Sequence, residues 1–198
     1  MEVVDSTGMP HHLRVKNPPS TLEDPTRAAR AHSQSVVDFI RDRVGADGGW
    51  ISFADYMHHA LYAPGLGYYS AGSHKLGPGG DFVTAPELTP LFGASIARPA
   101  AQIITNVAPN VLEIGAGSGA LAVSLLDALE RTGSLPARYC ILEVSADLRE
   151  RAAARLAEHL PHLVERVEWL DRLPDDFDGF IVANELLDAM PVHLIELR

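Results

Sequence analysis

The chain has 198 residues, of which 46% are hydrophobic, and its formal net charge is −10. This length and composition describe a folded globular chain and exclude a fibrous, collagen-like or wholly disordered protein. The negative charge argues against general nucleic-acid binding, because a phosphate backbone favours a basic surface.

The sequence contains no segment long and apolar enough to cross a membrane. The longest uncharged stretch near the middle covers residues 114–126, whereas a membrane helix needs roughly 20 apolar residues. The first residues lack the apolar run of a signal peptide, and Glu23 and Asp24 are unlike the acid-poor composition of a mitochondrial presequence. We therefore expect a cytoplasmic protein without a membrane span.

The N-terminal half begins with a polar, proline-containing stretch, residues 1–24, which we expect to be a flexible leader. Residues 25–109 are predicted to form a helical segment with a glycine-rich loop. Apolar residues at helical spacing predict a helix over 26–44, which ends before a glycine cluster. Ser52 and Asp55 have the spacing of a capping box and predict that a second helix begins at Ser52.

A glycine-rich loop is predicted over residues 62–81. Loops of this length inside a domain tend to be functional or mobile, although a connection without chemistry is the alternative. After Pro86 the apolar residues again follow a helical pattern, in which Pro99 predicts a kink or a break.

Residues 110–198 show a regular alternation of strand and helix patterns, which predicts an α/β fold with a parallel, doubly wound, Rossmann-like sheet. The predicted strands cover 111–114, 139–144, 164–170 and 180–183, and the predicted helices cover 118–131 and 146–159. Residues 192–197 are interpreted as the possible beginning of a fifth strand.

The sharpest local signal is a buried strand that runs directly into Gly115, Gly117 and Gly119 and then into a helix. Such a turn lets the backbone approach a ligand closely and presents the free N–H groups of a helix N-terminus. The pattern predicts a nucleotide-like cofactor. It leaves the cofactor open, because Gly115, Gly117 and Ala120 also satisfy a dinucleotide fingerprint.

Two carboxylates narrow the choice of cofactor. Glu113 lies in the predicted strand before the glycines, where a charge is costly unless it has partners, so it suits a ligand ammonium or a backbone turn that it braces. Glu143 lies at the end of the next predicted strand, where its two oxygens could accept both hydroxyls of a ribose. A carboxylate exposed to solvent at the strand end is the alternative for Glu143.

Several motifs together resemble the MidA-like family of class I S-adenosylmethionine-dependent methyltransferases. They are Glu113 to Gly119 with Glu143, Gly67-Tyr68-Tyr69, residues 80–87, Phe92-Gly93 and residues 183–191. The resemblance implies S-adenosyl-L-methionine as cofactor and methyl transfer to a protein arginine. One member of the family assists the assembly of a respiratory complex, which implies a possible link to that process.

The resemblance covers only the N-terminal half of such a protein, since members are roughly twice this length. We therefore expect a sheet that stops after about the fourth strand. Its open edge predicts a partner chain or a dimer that covers the exposed backbone. A fragment that binds or assembles without catalysis is the alternative to an active enzyme.

Methyl transfer to a guanidinium needs carboxylates that orient it by paired hydrogen bonds. Glu185 and Asp188 follow the fourth predicted strand, at the sheet edge where ligands bind, and are the candidate catalytic residues; capping of the next helix is the alternative. Asn184 is a candidate cofactor contact. The resemblance adds Asp81, as a catalytic candidate from a segment that would fold over the cofactor, and Asp171 beside the adenine. The alternatives are a loop cap for Asp81 and a surface turn for Asp171.

Other chemistries have weaker support in the sequence. The histidines do not cluster with cysteines or acids at metal-ligand spacing, so no metal site is predicted. An NAD-dependent oxidoreductase stays open as an alternative. It is less favoured, because none of the five tyrosines has a lysine four residues later, as a pair for hydride transfer would require.

Overall fold

The computed structural model describes residues 24–71 and 83–196. The chain divides into two units, Met1–Gln34 and Ser35–Arg198. In the first unit, residues 24–34 are described and contain the beginning of helix α1 (Arg27–Ala46), where the Ala29 N–H donates to Thr26 Oγ1 at 3.1 Å. The predicted leader lies outside the described residues except for Asp24.

The helices of the N-terminal half agree closely with the sequence patterns. Helix α1 confirms the prediction for residues 26–44, and α2 (Phe53–Tyr62) begins after Ser52, whose hydroxyl oxygen accepts from the Asp55 N–H. The predicted glycine-rich loop is described only to residue 71 and consists there of tight turns. Two further helices follow, α3 (Ala85–Leu88) and α4 (Leu91–Asn106).

Helix α4 runs through Pro99 without the predicted break. It packs against helix α5 (Ala120–Arg131) so closely that a Cβ atom at Gly93 would lie 2.1 Å from Ser124 Oγ. Because Ala100 and Ile104 of α4 join the buried core, this helix supports the sheet that carries the cavity described below. The predicted boundary between residues 109 and 110 stays a prediction.

Four parallel strands form one sheet in the order β3-β2-β1-β4. They are β1 (Asn110–Ile114), β2 (Arg138–Leu142), β3 (Val167–Leu170) and β4 (Phe180–Val182). Helix α5 connects β1 to β2, and α6 (Ala146–His159) leads from β2 towards β3. The α/β prediction is confirmed. The strand order reverses at β1, and in such sheets ligands bind beyond the carboxyl ends of the strands at that point.

Two predicted boundaries and the predicted beginning of a fifth strand are wrong for physical reasons. Helix α5 begins at Ala120 instead of Ser118, because Gly119 has a φ of 79° and cannot be helical. Pro161–Arg166 forms a 3-10 helix, so β3 is shorter than predicted. Residues 191–196 form no strand. Only residues 183–191 separate β4 from that stretch, and a parallel crossover needs a dozen or more residues.

The core lies between the sheet and its helices. Its largest fully buried side chains include Tyr139, Ile141, Leu125, Leu126 and Leu129. Within the described ranges, no helix combines the length and the apolar character that a membrane span requires.

Candidate functional site

A cavity of about 590 Å³ opens at the carboxyl ends of the strands, within the range of small-molecule sites. Its walls come from α2, α3, the turn of residues 115–119 (the glycine turn), the end of β2, and residues 183–191 (the strand-end segment). The carboxylate and imidazole side chains that line it are Glu87, Glu113, Glu143, Glu185 and His58. Among the described residues that line the cavity there is no lysine or arginine.

The glycine turn has a backbone shape that requires glycine. Gly115 has a φ of 74°, and a Cβ atom on it would lie 2.8 Å from Leu186 Cδ1. The Gly115 N–H donates to the Leu142 carbonyl at 2.8 Å, which fixes the turn to β2. The turn therefore leaves a side-chain-free backbone surface towards the cavity.

Glu143 holds this turn in place. Its Oε2 accepts from the Gly117 N–H at 3.0 Å, and its Oε1 accepts from the Ser145 N–H at 2.9 Å. The residue is only 8% exposed, and burial raises its pKa although the hydrogen bonds from Ser145 and Gly117 oppose that shift. The Glu143 carboxylate is thus a buried, oriented acceptor, and the alternative of a carboxylate exposed to solvent at the strand end is wrong.

Glu113 is the most deeply buried carboxylate of the cavity, with 2% of its surface exposed. The Tyr139 hydroxyl on the neighbouring strand donates to Glu113 Oε2 at 2.7 Å. Among the described residues the Glu113 carboxylate has no other hydrogen bond and no cationic partner. Burial raises its pKa to about 7, the Tyr139 hydrogen bond opposes this, and the charge of Glu143 adds to it. The glycine turn is therefore braced by Glu143, and Glu113 keeps unused hydrogen-bonding capacity.

Glu87 is a third buried carboxylate, and it has a cationic partner. Its side chain is 6% exposed, and its Oε1 accepts from Arg155 Nη1 at 3.0 Å. The Ser118 hydroxyl of the glycine turn also donates to Oε1. Burial alone would raise the pKa of Glu87, but the hydrogen bonds from Arg155 and Ser118 lower it. The charge of this carboxylate is therefore compensated.

Two tyrosines form an aromatic wall. The rings of Tyr62 and Tyr69 are stacked with their centroids 5.6 Å apart. The Tyr62 hydroxyl donates to the Ala189 carbonyl at 2.8 Å, which connects α2 to the strand-end segment. Burial and the nearby Tyr69, Glu143 and Asp188 raise the pKa of Tyr62 to about 12, so this hydroxyl stays protonated at neutral pH.

The strand-end segment carries the predicted acceptor residues. Asn184 and Glu185 line the cavity, and Glu185 has a φ of 50° although it is not glycine. Such a backbone conformation is uncommon for a side-chain-bearing residue and occurs preferentially at functional sites. Asp188 is exposed and lies outside the set of lining residues, yet close enough to influence the pKa values of Tyr62 and Tyr69.

The structure brings most predicted site residues together. Those that line the cavity are Glu113, Gly115, Gly117, Glu143, Asn184 and Glu185. Gly119 lies one residue beyond the lining part of the turn and contacts α6. Asp171 lies outside the lining set, is 88% exposed, and accepts from Arg149 Nη1 at 2.7 Å. Asp81 lies outside the described residues.

Sequence reasoning missed Tyr139 and Arg155. A tyrosine in a buried strand needs a partner for its hydroxyl, and strand alternation puts Tyr139 on the same face as Glu143. The sequence therefore contained a weak signal that Tyr139 pairs with a carboxylate, which in the structure is Glu113. Arg155 had none, because the contact joins residues 68 positions apart in the chain.

A solved structure from Burkholderia thailandensis resembles this fold closely. It is described as a likely methyl transferase bound to S-adenosyl-homocysteine, with 45% sequence identity and a TM-score of 0.77. The match covers 86% of this chain and 46% of that one.

Curated relatives are named as mitochondrial protein arginine methyltransferases of the NDUFAF7 type. The Caenorhabditis elegans protein is 29% identical over 196 residues, covering 87% of this chain and 46% of the relative. The mouse protein is 31% identical over 179 residues, covering 73% and 39% respectively. The chain thus spans about half the length of these relatives, or less.

The predicted cytoplasmic location is wrong by this comparison, since the curated relatives are named as mitochondrial. The expectation relied on acidic residues near the beginning of the chain, which argue only against one type of import signal.

The family model described as "putative S-adenosyl-L-methionine-dependent methyltransferase" matches residues 95–198, which include the whole sheet, the glycine turn and the strand-end segment. The chain belongs to this family of methyltransferases.

Proposed function

We propose that this chain provides the cofactor-binding part of an S-adenosyl-L-methionine-dependent methyltransferase that acts on arginine side chains of proteins. The observation that carries the proposal is the charge of the cavity: four glutamates line it, only Glu87 among them has a cationic partner in the described residues, and no arginine or lysine is among its described lining residues. Such a site attracts a cationic ligand and disfavours a pyrophosphate, because like charges at close range repel. S-adenosyl-L-methionine is a cation, whereas NAD carries a pyrophosphate.

The buried carboxylates suit the polar groups of this cofactor. Glu113 has one neutral partner, Tyr139, so its carboxylate can receive the ammonium of the cofactor's amino-acid part. Glu143 can accept the ribose hydroxyls with the lone pairs that the Gly117 and Ser145 N–H groups leave free. The glycine turn offers backbone without side chains to the same ligand, and Gly119 allows the next helix to begin beside it.

When bound, the cofactor would supply a methyl group on a positively charged sulfur. The chain's task is to align an acceptor nitrogen with that methyl group and to exclude water. We assign to Glu185, which lines the cavity, the binding of a guanidinium by paired hydrogen bonds, to which Asn184 can add an amide acceptor. Asp188, on the exposed side of the same segment, extends the negative surface towards an incoming arginine.

Two predicted residues enter the proposal on weaker grounds. Asp171 would have to exchange its partner Arg149 for an adenine amino group. Asp81 is kept as a candidate on the family resemblance alone, as is the link to respiratory complex assembly.

A protein that carries the arginine is the proposed substrate, and a second chain at the open sheet edge is the proposed partner.

The cofactor assignment is tested by calorimetric titration of the purified chain with S-adenosylhomocysteine, S-adenosylmethionine and NAD. We expect the first two to bind and Glu143→Ala to weaken them by about a hundredfold, the effect of losing two hydrogen bonds to a charged acceptor. Glu158→Ala, an exposed change on α6, is the matched control and should leave binding unchanged. Binding of NAD alone would contradict the proposal.

The acceptor assignment needs a second measurement. We expect the chain, supplied with a methyl-labelled cofactor, to label arginine-containing peptides and to leave matched lysine-containing peptides unlabelled. Labelling of the lysine-containing peptides alone would contradict arginine as the acceptor and indicate lysine instead. Tight cofactor binding without labelling of any peptide would favour the non-catalytic alternative.

A further inference from the structure

One cluster of charged and polar side chains is left unexplained by the proposed roles. It consists of Glu87 on α3, Ser118 in the glycine turn and Arg155 on α6, and we call it the Glu87 cluster. Arg155 Nη1 donates to Glu87 Oε1 at 3.0 Å and to Ser118 Oγ at 2.7 Å, and Nη2 donates to Glu87 Oε2 at 3.4 Å. The Ser118 hydroxyl donates to Glu87 in turn. Each member thus bonds to both others.

The cluster joins three separate elements around one buried charge. Glu87 is 6% exposed, and Arg155 reaches it with a side chain that is itself 35% exposed. A buried carboxylate is stable only when it is paired and its lone pairs are satisfied. Arg155 is the cation that compensates Glu87, so the position of α3 depends on a residue from the far side of the glycine turn.

The close approach of α6 makes this contact possible. A Cβ atom on Gly119 would lie 3.0 Å from the Cα atom of Ala152, so the backbones of the turn and of α6 nearly touch. Arg155 follows Ala152 by three positions, which puts both on the same face of the helix. The glycine therefore brings the guanidinium within reach of Ser118.

Helix α3 is a short element that contacts helices α4 and α5. It is four residues long, and its residues Pro86 and Glu87 line the cavity together with the preceding Thr84. A helix of this length is not stable by itself, because nucleation costs more than one turn returns. The wall that it contributes needs an anchor elsewhere in the fold.

We propose that the Glu87 cluster is a clamp that fixes α3 to the glycine turn, and that Arg155 is the positioning residue on which retention of a ligand in the cavity depends. The identity of that ligand rests on the function proposed above, whereas the clamp does not. Because coupling is reciprocal, a ligand that contacts the glycine turn tightens α3 to the same degree that the clamp tightens the ligand.

The clamp is tested first without ligand, by amide hydrogen exchange. Arg155→Met should speed exchange in residues 84–89 and 115–120. The matched control is Arg151→Met on the same helix, where Arg151 pairs with Asp147 at 3.0 Å and is 32% exposed, close to the exposure of Arg155. Equal exchange at residues 84–89 in the wild type and Arg155→Met would overturn the clamp, whether or not any cofactor binds.

Ligand retention is then measured as the dissociation rate of S-adenosylhomocysteine. Arg155→Met should release it about tenfold faster, the equivalent of one charge-assisted hydrogen bond, and Arg155→Lys should restore part of the loss, because lysine keeps the charge without the fork. Arg151→Met should release it at the wild-type rate. A wild type that binds no S-adenosylhomocysteine would refute the proposed function, and the hydrogen-exchange result alone would then decide whether the clamp exists.

A double variant separates positioning from simple stability. Glu87→Gln with Arg155→Met removes the uncompensated carboxylate, so thermal stability should recover from the loss seen in Arg155→Met. The fast dissociation should persist, since the guanidinium that holds α3 is still missing. Recovery of the dissociation rate together with stability would mean that Arg155 only stabilises the fold and would overturn its positioning role.

Discussion

The two sides of the cavity hold their carboxylates in opposite ways. On the inner side, Glu113 and Glu143 are 2% and 8% exposed, and each has a hydrogen-bond partner from the sheet or the turn after it. On the outer side, Glu185 and Asp188 are exposed, and neither has a hydrogen bond or ion pair among the described residues. The inner side is built before a ligand arrives, whereas the outer side is free to adapt to one.

This difference indicates a division of labour. A preorganised site avoids the entropy cost of ordering its groups and suits a ligand of constant shape, such as a cofactor. Exposed carboxylates on an irregular segment suit an acceptor that comes from outside as part of a larger protein. The two sides should therefore respond differently to substitution.

The largest effect is expected on the outer side. Glu185→Gln removes the charge that we propose orients the guanidinium and should lower turnover on arginine peptides by about a hundredfold, since hydrogen bonds to charged groups contribute about 1.5–3 kcal/mol. The affinity for S-adenosylhomocysteine should stay within about twofold. Methylation rates and calorimetry on the same preparation measure both, and a loss of cofactor affinity equal to the loss of turnover would erase the distinction between the sides.

On the inner side, pH should act through Glu113. Its pKa of about 7 means that the carboxyl group is mostly neutral at pH 6 and mostly ionised at pH 8, and an ammonium binds the ionised form. Affinity for S-adenosylhomocysteine should therefore rise about tenfold between these pH values. The raised pKa of Glu143 acts in the same direction. Calorimetry across the range, with Glu113→Gln as the variant that flattens the dependence on Glu113, measures this.

Ionisation of Glu113 should lower the stability of the ligand-free protein as the pH rises, whereas it raises the affinity for the ligand. Between the ordinary pKa of a glutamate and about 7, Glu113 holds more proton in the folded chain than in the unfolded chain, so its contribution to stability falls as pH rises through that window. Glu113→Gln should remove part of this fall. A Glu113→Gln variant whose stability changes with pH as the wild type's does would contradict the raised pKa of Glu113.

Much of this inner side could be predicted from the sequence. Strand patterns, the three glycines and Glu143 identified the sheet and the turn, because local periodicity and positive φ leave clear marks in a sequence. The partners of the carboxylates left fewer marks. Arg155 reaches Glu87 across three elements, and the absence of a strand over residues 191–196 depends on the length of the connection from β4. Both features depend on the positions of elements that are far apart in the sequence, which local patterns do not show.

The smallest expected effect concerns the backbone of the outer side. Glu185 has a φ of 50°, a conformation that costs a residue with a Cβ about 1–2 kcal/mol, while glycine loses about 0.5–1 kcal/mol through its greater freedom in the unfolded chain. Glu185→Gly should therefore raise the free energy of unfolding by about 0.5–1 kcal/mol, and Glu185→Ala, which keeps the Cβ, should leave it nearly unchanged. Glu150→Gly on the exposed face of α6 should lower it by about 1 kcal/mol. Denaturant titration of the three variants separates them by sign, and a destabilised Glu185→Gly would show that the strand-end segment stores no strain.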